Sequence, residues 1–402
     1  MIASQPIVPV IGFDTPSRLT NLRCPECGTK YDASVVQTVC NNGACNSSLF
    51  AEYDLSLPLS KSVLTGRPAN MWRYRELMPV IEPENIITLG EGFTPILSLQ
   101  NLQHLAGDIQ VYWKDESGNP TGSFKARGIS AAVSKAKELG IDTIVTPTAG
   151  NAGGALAAYA ARAGMQAVVY MPKLTPSLFK QECRLYGAQL IEVDGSISDC
   201  GRLANEDATR NGWFQVSTLK EPYRLEGKKT MGYEIAEQFN WQLPDVILYP
   251  TGGGTGLLGI WKAFNEMEQL GWIGSERPKM VAVQSESCNG IVKAFHRENS
   301  VSEFTDGGFT IANGLRVPKP YADKLILKVL RQSKGNAISV SDADMELALK
   351  EIARNEGMLI APEGAALWHA FKQLKSNGWL HDGQTVLLLN TGSGYKYLEN
   401  IS

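Results

Sequence analysis

The stretch VYWKDESGNPTGSFKARG, Val111 to Gly128, decides how the rest of the chain is read. An apolar, β-prone run leads into a loop of Asn, Pro, Thr, Gly and Ser, and the loop opens a helix expected over Ile129 to Leu139. Lys125 falls about where that helix begins. A helix N-terminus favours anions and disfavours an ammonium, so this lysine is a candidate for a neutral, nucleophilic amine. Taken alone it reads as a solvated surface lysine; the loops elsewhere in the chain change that reading.

The same strand, loop and helix unit recurs. TIVTP, AVVYMP and QLIEVD are followed by helical patterns over Ala152 to Ala163, Ser177 to Tyr186, and Asp199 to Arg210. After WFQVST come a helix over Gly227 to Phe239, the strand VILYP, a helix over Leu257 to Leu270, and the strand MVAVQSE with two further helices. TVLLLNTG is the last strand. This alternation specifies an α/β protein with largely parallel sheets. Turn clusters are expected at Thr218 to Pro222 and at Lys334 to Ala337.

Two more strand-to-helix loops carry chemistry. TPTAGNAGG, Thr146 to Gly154, places a hydroxyl (Thr148) and an amide (Asn151) above a helix N-terminus whose free N–H groups can hold a carboxylate, although an ordinary capped turn would look similar. PTGGGTGLLG, Pro250 to Gly259, brings backbone N–H groups together where a phosphate belongs. Gly254, Gly256 and Gly259 also satisfy G-x-G-x-x-G, so a dinucleotide site competes. Against it, the motif falls late in the chain and Glu286 lies too far downstream to serve a ribose.

At 402 residues the chain is long enough for two or three domains, and a net charge of −3 with 43% hydrophobic residues excludes disorder and gives no footprint for nucleic acid or anionic lipid. The best apolar run, Ala152 to Met171, is interrupted by Arg162, so no membrane span is expected. The opening MIASQPIVPVIGF lacks a leader pattern, which makes cytoplasmic the default address. Glycine is in surplus, 39 residues against about 28 at average usage of about 7%.

Four of the seven cysteines, Cys24, Cys27, Cys40 and Cys45, crowd into a turn-rich opening module over residues 1–50. Two short Cys pairs suit a structural tetrahedral zinc site in a zinc-ribbon-like module, with Gly28 and Gly43 supplying tight turns; a degenerate, metal-free ribbon is the alternative. Cys183, Cys200 and Cys288 read as packing residues, and the four histidines have no ligand spacing.

Together the three loops and the closing NTGSGYKY, Asn390 to Tyr397, resemble the fold-type II pyridoxal-phosphate enzymes, the tryptophan synthase β family. The resemblance covers about Leu89 to Lys396. It implies a two-lobed, three-layer parallel-sheet fold: a large cofactor domain from 51–130 and 220–402, and a small mobile substrate domain over 131–219. It implies that Lys125 carries pyridoxal 5'-phosphate, that Asn151 contacts the cofactor's ring hydroxyl, and that Thr148, Ala149 and Gly150 with Asn151 hold the substrate carboxylate. Gly252, Gly253, Gly254, Thr255 and Gly256 would hold the cofactor phosphate, and Thr391 would face the pyridine nitrogen. A hydroxyl there leaves the ring a weaker electron sink and favours elimination and replacement.

Within the family GEGFTPIL (Gly90 to Leu97), NPTGSFK and PYRLEGKKT (Pro222 to Thr230) look most like the threonine synthases, PLP-dependent lyases that convert O-phosphohomoserine and water to threonine and phosphate. Lys114 and Arg224 would then be the cations for the substrate phosphate, and a homodimer is the family's habit. A β-replacement or elimination enzyme, cysteate synthase-like or a serine/threonine dehydratase, is the alternative. Three departures stand out: Ala126 where the pattern has Asp, Glu221 and Lys228 where it has Asn and Gln, and Gly153-Gly154 where it has Thr/Ser-Ala. A carboxylate at 221 near a phosphate pocket would repel the phosphate.

Overall fold

The computed structural model describes residues 16–400; the opening residues 1–15, on which the leader reading rests, lie outside them. Strands β1 (Leu19–Arg23), β2 (Lys30–Tyr31) and β3 (Phe50–Tyr53) form a small antiparallel sheet in the order β2-β1-β3. Next come β4 (Ile96–Ser98), α1 (Gln103–Ala106), β5 (Gln110–Asp115) and α2 (Lys125–Glu138). The middle of the chain contains β6 (Thr143–Pro147), α3 (Asn151–Ala163), β7 (Gln166–Pro172), α4 (Ser177–Leu185), β8 (Gln189–Val193), α5 (Ile197–Asn211) and β9 (Phe214–Gln215). The remainder runs α6 (Tyr223–Gln238), β10 (Val246–Pro250), α7 (Thr255–Gln269), β11 (Lys279–Ser285), α8 (Gly290–His296), α9 (Asp323–Gln332), β12 (Asn336–Val340), α10 (Asp342–Glu356), α11 (Pro362–Ser376) and β13 (Thr385–Asn390).

These strands build two further sheets. Six strands lie in the order β12-β11-β10-β13-β5-β4, all parallel except the edge strand β4, and four parallel strands lie in the order β8-β7-β6-β9. Every residue of β10 is buried, as a parallel strand covered on both faces requires. The α/β architecture expected from the alternation is therefore present. The middle chain supplies the smaller sheet, and segments on both sides of it supply the larger.

Two expectations fail after β11. Four helices follow where two were expected, and NAISV, whose start was read as a turn, forms β12. The turn is real but ends earlier: Lys334 has φ +52 and the amide of Gly335 donates to the carbonyl of Leu330. Parallel pairing with Val281–Ser285 then draws the short alternating run into the sheet. Among the described residues no helix is long and apolar enough to cross a membrane.

The module of β1–β3 packs on α6 and on the loop before it. The buried Ser48 hydroxyl donates to the carbonyl of Leu219 at 2.6 Å, and the Tyr53 hydroxyl donates to Glu226 at 2.9 Å. The Tyr321 hydroxyl donates to the carbonyl of Asn46.

Candidate active site

The four loops singled out in the sequence all leave the carboxyl ends of parallel strands: 116–124 after β5, 148–150 after β6, 251–254 after β10 and 391–393 after β13. Ligands of open α/β sheets bind at such ends. Here the loops enclose a cavity of about 320 Å³, lined by Lys125, Thr148, Ala149, Gly150, Asn151, Arg224, Gly252, Gly253, Gly254, Thr255 and Thr391. That volume is at the lower end of ordinary cofactor sites.

Lys125 is the first residue of α2, and its ammonium lies 4.0 Å from the centre of the Phe124 ring. Its pKa is lowered to about 7, first by burial, then by the Arg224 guanidinium and by Lys396, with Glu363 opposing. The helix terminus places the amine, but exclusion of water is the main reason it is poised to be neutral. Glu363 is also buried, accepting from the amide of Gly314 at 2.7 Å and from the Tyr397 hydroxyl at 2.9 Å. The Asn151 side-chain amide donates to that same hydroxyl at 3.2 Å. This chain of contacts links α11 and the closing segment to α3, and neither Glu363 nor Tyr397 was singled out in the sequence.

The glycine-rich loop after β10 needs its glycines for a reason different from the one expected. A Cβ at Gly252 would lie 2.1 Å from the carbonyl oxygen of Gly314, and one at Gly256 would lie 1.9 Å from the Tyr249 hydroxyl. Gly254 has φ +73, and a Cβ there would meet Ile326 at 2.2 Å. Protein neighbours, before any ligand, exclude side chains from these positions. Gly259, the last glycine of the G-x-G-x-x-G reading, lets α7 lie against the backbone of Lys229 in α6, where a Cβ would come within 2.9 Å.

Among the described residues, several buried polar atoms at this cavity have no partner: Thr255 Oγ1, Ser217 Oγ, Asn151 Oδ1, Glu363 Oε2, and Nε and Nη2 of Arg224. Arg224 is anchored, among the described residues, only through Nη1, which donates to the carbonyl of Val216 at 2.7 Å. Unpaired buried donors imply a polar occupant. With Lys125, Arg224 and Lys228 inside and the exposed Lys220, Arg316 and Lys319 also lining the cavity, that occupant is anionic. The set fits pyridoxal phosphate: an amine, donors at the N-terminus of α7, and an amide beside a hydroxyl.

Lys114 is a correction. It lies outside the cavity, fully buried, ion-paired to Glu234 at 2.9 Å and donating to the carbonyl of Thr94 at 2.8 Å. The side chain reaches α6, whose Glu234 and Gln238 it contacts. Glu116, Arg127 and Glu234, all fully buried, complete the group. Glu221 is a second correction. Its carboxylate is absent from the cavity lining and instead accepts from the amides of Tyr223 (2.7 Å) and Arg224 (3.1 Å), closing the start of α6. Burial pushes its pKa up to about 7, so it repels a phosphate less than expected.

Residues 87–392 match the family model described as pyridoxal-phosphate dependent enzyme. The chain belongs to the pyridoxal-phosphate-dependent enzyme family. Its fold is that family's type II. Similar relatives include the threonine synthase of Methanocaldococcus jannaschii, 33% identical over 93% of this chain and 92% of that one. The threonine synthase of Methanosarcina acetivorans is 34% identical over 92% and 91% of the two chains. Among solved structures, diaminopropionate ammonia lyase from Escherichia coli superposes with a TM-score of 0.67 at 20% identity, covering 77% of this chain and 87% of that one. An aspartate racemase gives a TM-score of 0.66 at 22% identity, over 77% and 92%. These two speak for the fold alone. The family places this chain among enzymes that use pyridoxal phosphate, which the cavity's donors match and a dinucleotide site does not require.

The cysteine module forms a second, separate cluster. The Sγ atoms of Cys24, Cys27, Cys40 and Cys45 lie within 4.8 Å of one another, with Cys27 and Cys40 3.4 Å apart and Cys24 and Cys45 3.6 Å apart. A tetrahedron with about 2.3 Å metal–sulfur bonds has edges of about 3.8 Å, whereas a disulfide needs about 2.05 Å. Gly28 (φ +76) and Gly43 (φ +57) make the turns expected of them. Cys183, Cys200 and Cys288 are buried and free. None of the four histidines lines the cavity.

Proposed function

We propose that this chain is a threonine synthase-like lyase acting on O-phospho-L-homoserine and water to give L-threonine and phosphate. In that conversion the Cγ–O bond breaks, phosphate leaves, Cγ gains a proton, and Cβ exchanges a hydrogen for a water-derived hydroxyl. Bound pyridoxal phosphate supplies the electron sink that acidifies the substrate's carbon chain. Lys125, half-buried and close to neutral, moves protons at Cα, Cβ and Cγ. Thr148, Ala149 and Gly150 hold the substrate carboxylate, and Asn151 and Thr391 address the cofactor ring. Gly252 to Gly256 with the first turn of α7 hold its phosphate. The observation that carries the reading is Arg224: a buried guanidinium with two unsatisfied donors beside the cofactor lysine, as a phosphate leaving group requires.

The relatives' shared assignment as threonine synthases supports the substrate. Zinc in the cysteine cluster, a homodimer, a cytoplasmic address, and mobility of residues 131–219 as a substrate-closing lobe belong to the same proposal. The test is a panel of phosphorylated amino acids offered to the protein purified with pyridoxal phosphate. Phosphate release from O-phosphohomoserine with equal threonine formation is expected, and Lys125→Ala abolishes both the bound cofactor's visible absorption and turnover. Release only from O-phosphoserine with a sulfur nucleophile would replace this reading with the β-replacement alternative.

A further inference from the structure

Lys228 is the buried cation that the site has not yet accounted for. It follows Arg224 by four residues on α6, so the two side chains share one face of the helix, and both line the cavity. Its neighbour Lys229 faces the other way and is paired with Glu226 at 2.6 Å and Glu266 at 3.0 Å. Lys228 is 2% exposed and, among the described residues, has no ion pair and no hydrogen bond from its ammonium. It rests 4.7 Å from the centre of the Phe124 ring, the same ring that Lys125 approaches at 4.0 Å. A buried, unpaired ammonium beside a half-satisfied guanidinium is costly unless something negative completes it.

The acids nearby do not complete it. Glu221 spends both oxygens on the amides at the start of α6, and Glu363 is bonded to Gly314 and Tyr397 on the Lys125 side. We propose that Lys228, together with Arg224, selects a doubly charged phosphate as the leaving group of the substrate and discriminates against uncharged esters. This rests on the reading of the cavity given above. Burial, Arg224 and Lys125 hold the Lys228 amine well below its ordinary range, with Glu221 alone opposing. An arriving dianion therefore favours its charged form, and a neutral ester does not. The departure of Lys228 from the glutamine of the family pattern thus adds one cation where a dianion must be recognised.

Lys228→Gln, which keeps length and polarity, is the direct test. Removing one charge-assisted hydrogen bond should weaken phosphate recognition by about 10- to 100-fold. In the enzyme carrying pyridoxal phosphate, the expected result is that rise in KM for O-phosphohomoserine with little change in activity on O-acetylhomoserine, and substantial recovery in Lys228→Arg. Inorganic phosphate, titrated against the cofactor's visible absorption, should lose affinity by the same factor. Equal losses on phosphorylated and acetylated substrates, or unchanged phosphate affinity, would overturn the proposal. Loss of the cofactor's own affinity would also overturn it, by assigning Lys228 to the cofactor phosphate. If O-phosphohomoserine is not turned over at all, the proposed reaction fails, while the phosphate titration still decides the role of Lys228.

Discussion

Lys125→Met in the cofactor-free protein should make the fold more stable, and the gain should depend on pH. An ordinary lysine titrates near 10.4, whereas Lys125 is lowered to about 7, and each pH unit between those values corresponds to about 1.36 kcal/mol. Below pH 7 both folded and unfolded chains hold the proton, so the folded protein bears the full penalty of a buried ammonium, at most about 5 kcal/mol. Because the side chain is only half-buried, about 2–4 kcal/mol is the expected gain. As pH rises above 7 the folded chain releases its proton first, and the gap shrinks toward zero near pH 10. Urea denaturation of both apoproteins at pH 6, 8 and 9.5 reads the gap directly. A variant no more stable than wild type at pH 6, or a gap that widens with pH, would refute the claim that burial depresses this amine.

Two further outcomes follow from the geometry. Gly256→Ala drives a Cβ into the Tyr249 hydroxyl and should cost about 1–3 kcal/mol along with most of the cofactor affinity, while adding Tyr249→Phe recovers part of the loss; an unchanged affinity by visible titration would show that the loop tolerates side chains. Metal analysis should return about one zinc per chain, and Cys40→Ser should abolish it and lower the melting temperature; a zinc-free protein of undiminished stability would mark the cluster as a bare ribbon.

Much of the cavity could be read in the chain because each loop is local: a strand, a few small or polar residues and a helix start fall within about a dozen positions of one another. Lys125, Asn151 and the run from Gly252 to Gly256 were legible for that reason. The four cysteines were legible through spacing alone. What was hidden depends on which face an element covers. Lys114 is itself fully buried, and nothing in WKDE tells that its charge is spent on Glu234 from α6. Glu363 reaches the cavity from α11, and its only local mark is a proline at the first turn of that helix; Tyr397 ends the quoted NTGSGYKY, where nothing marks its hydroxyl as a partner of Glu363. Glu221 was misjudged because its capping role appears only once α6 is seen to begin at Tyr223.

The glycine at 154 exists for the sake of a residue in another helix. A Cβ there would lie 2.1 Å from an oxygen of Glu182, and Glu182 holds Lys396 at 2.8 Å, which in turn donates to the carbonyl of Thr121 in the loop leading to Lys125. An alanine at this point would push the Glu182 carboxylate off this position and loosen its hold on Lys396. Positions 154, 182 and 396 are therefore coupled by geometry. Across the family's descent they should be exchanged as a set, so that the residue found at one column forecasts the other two.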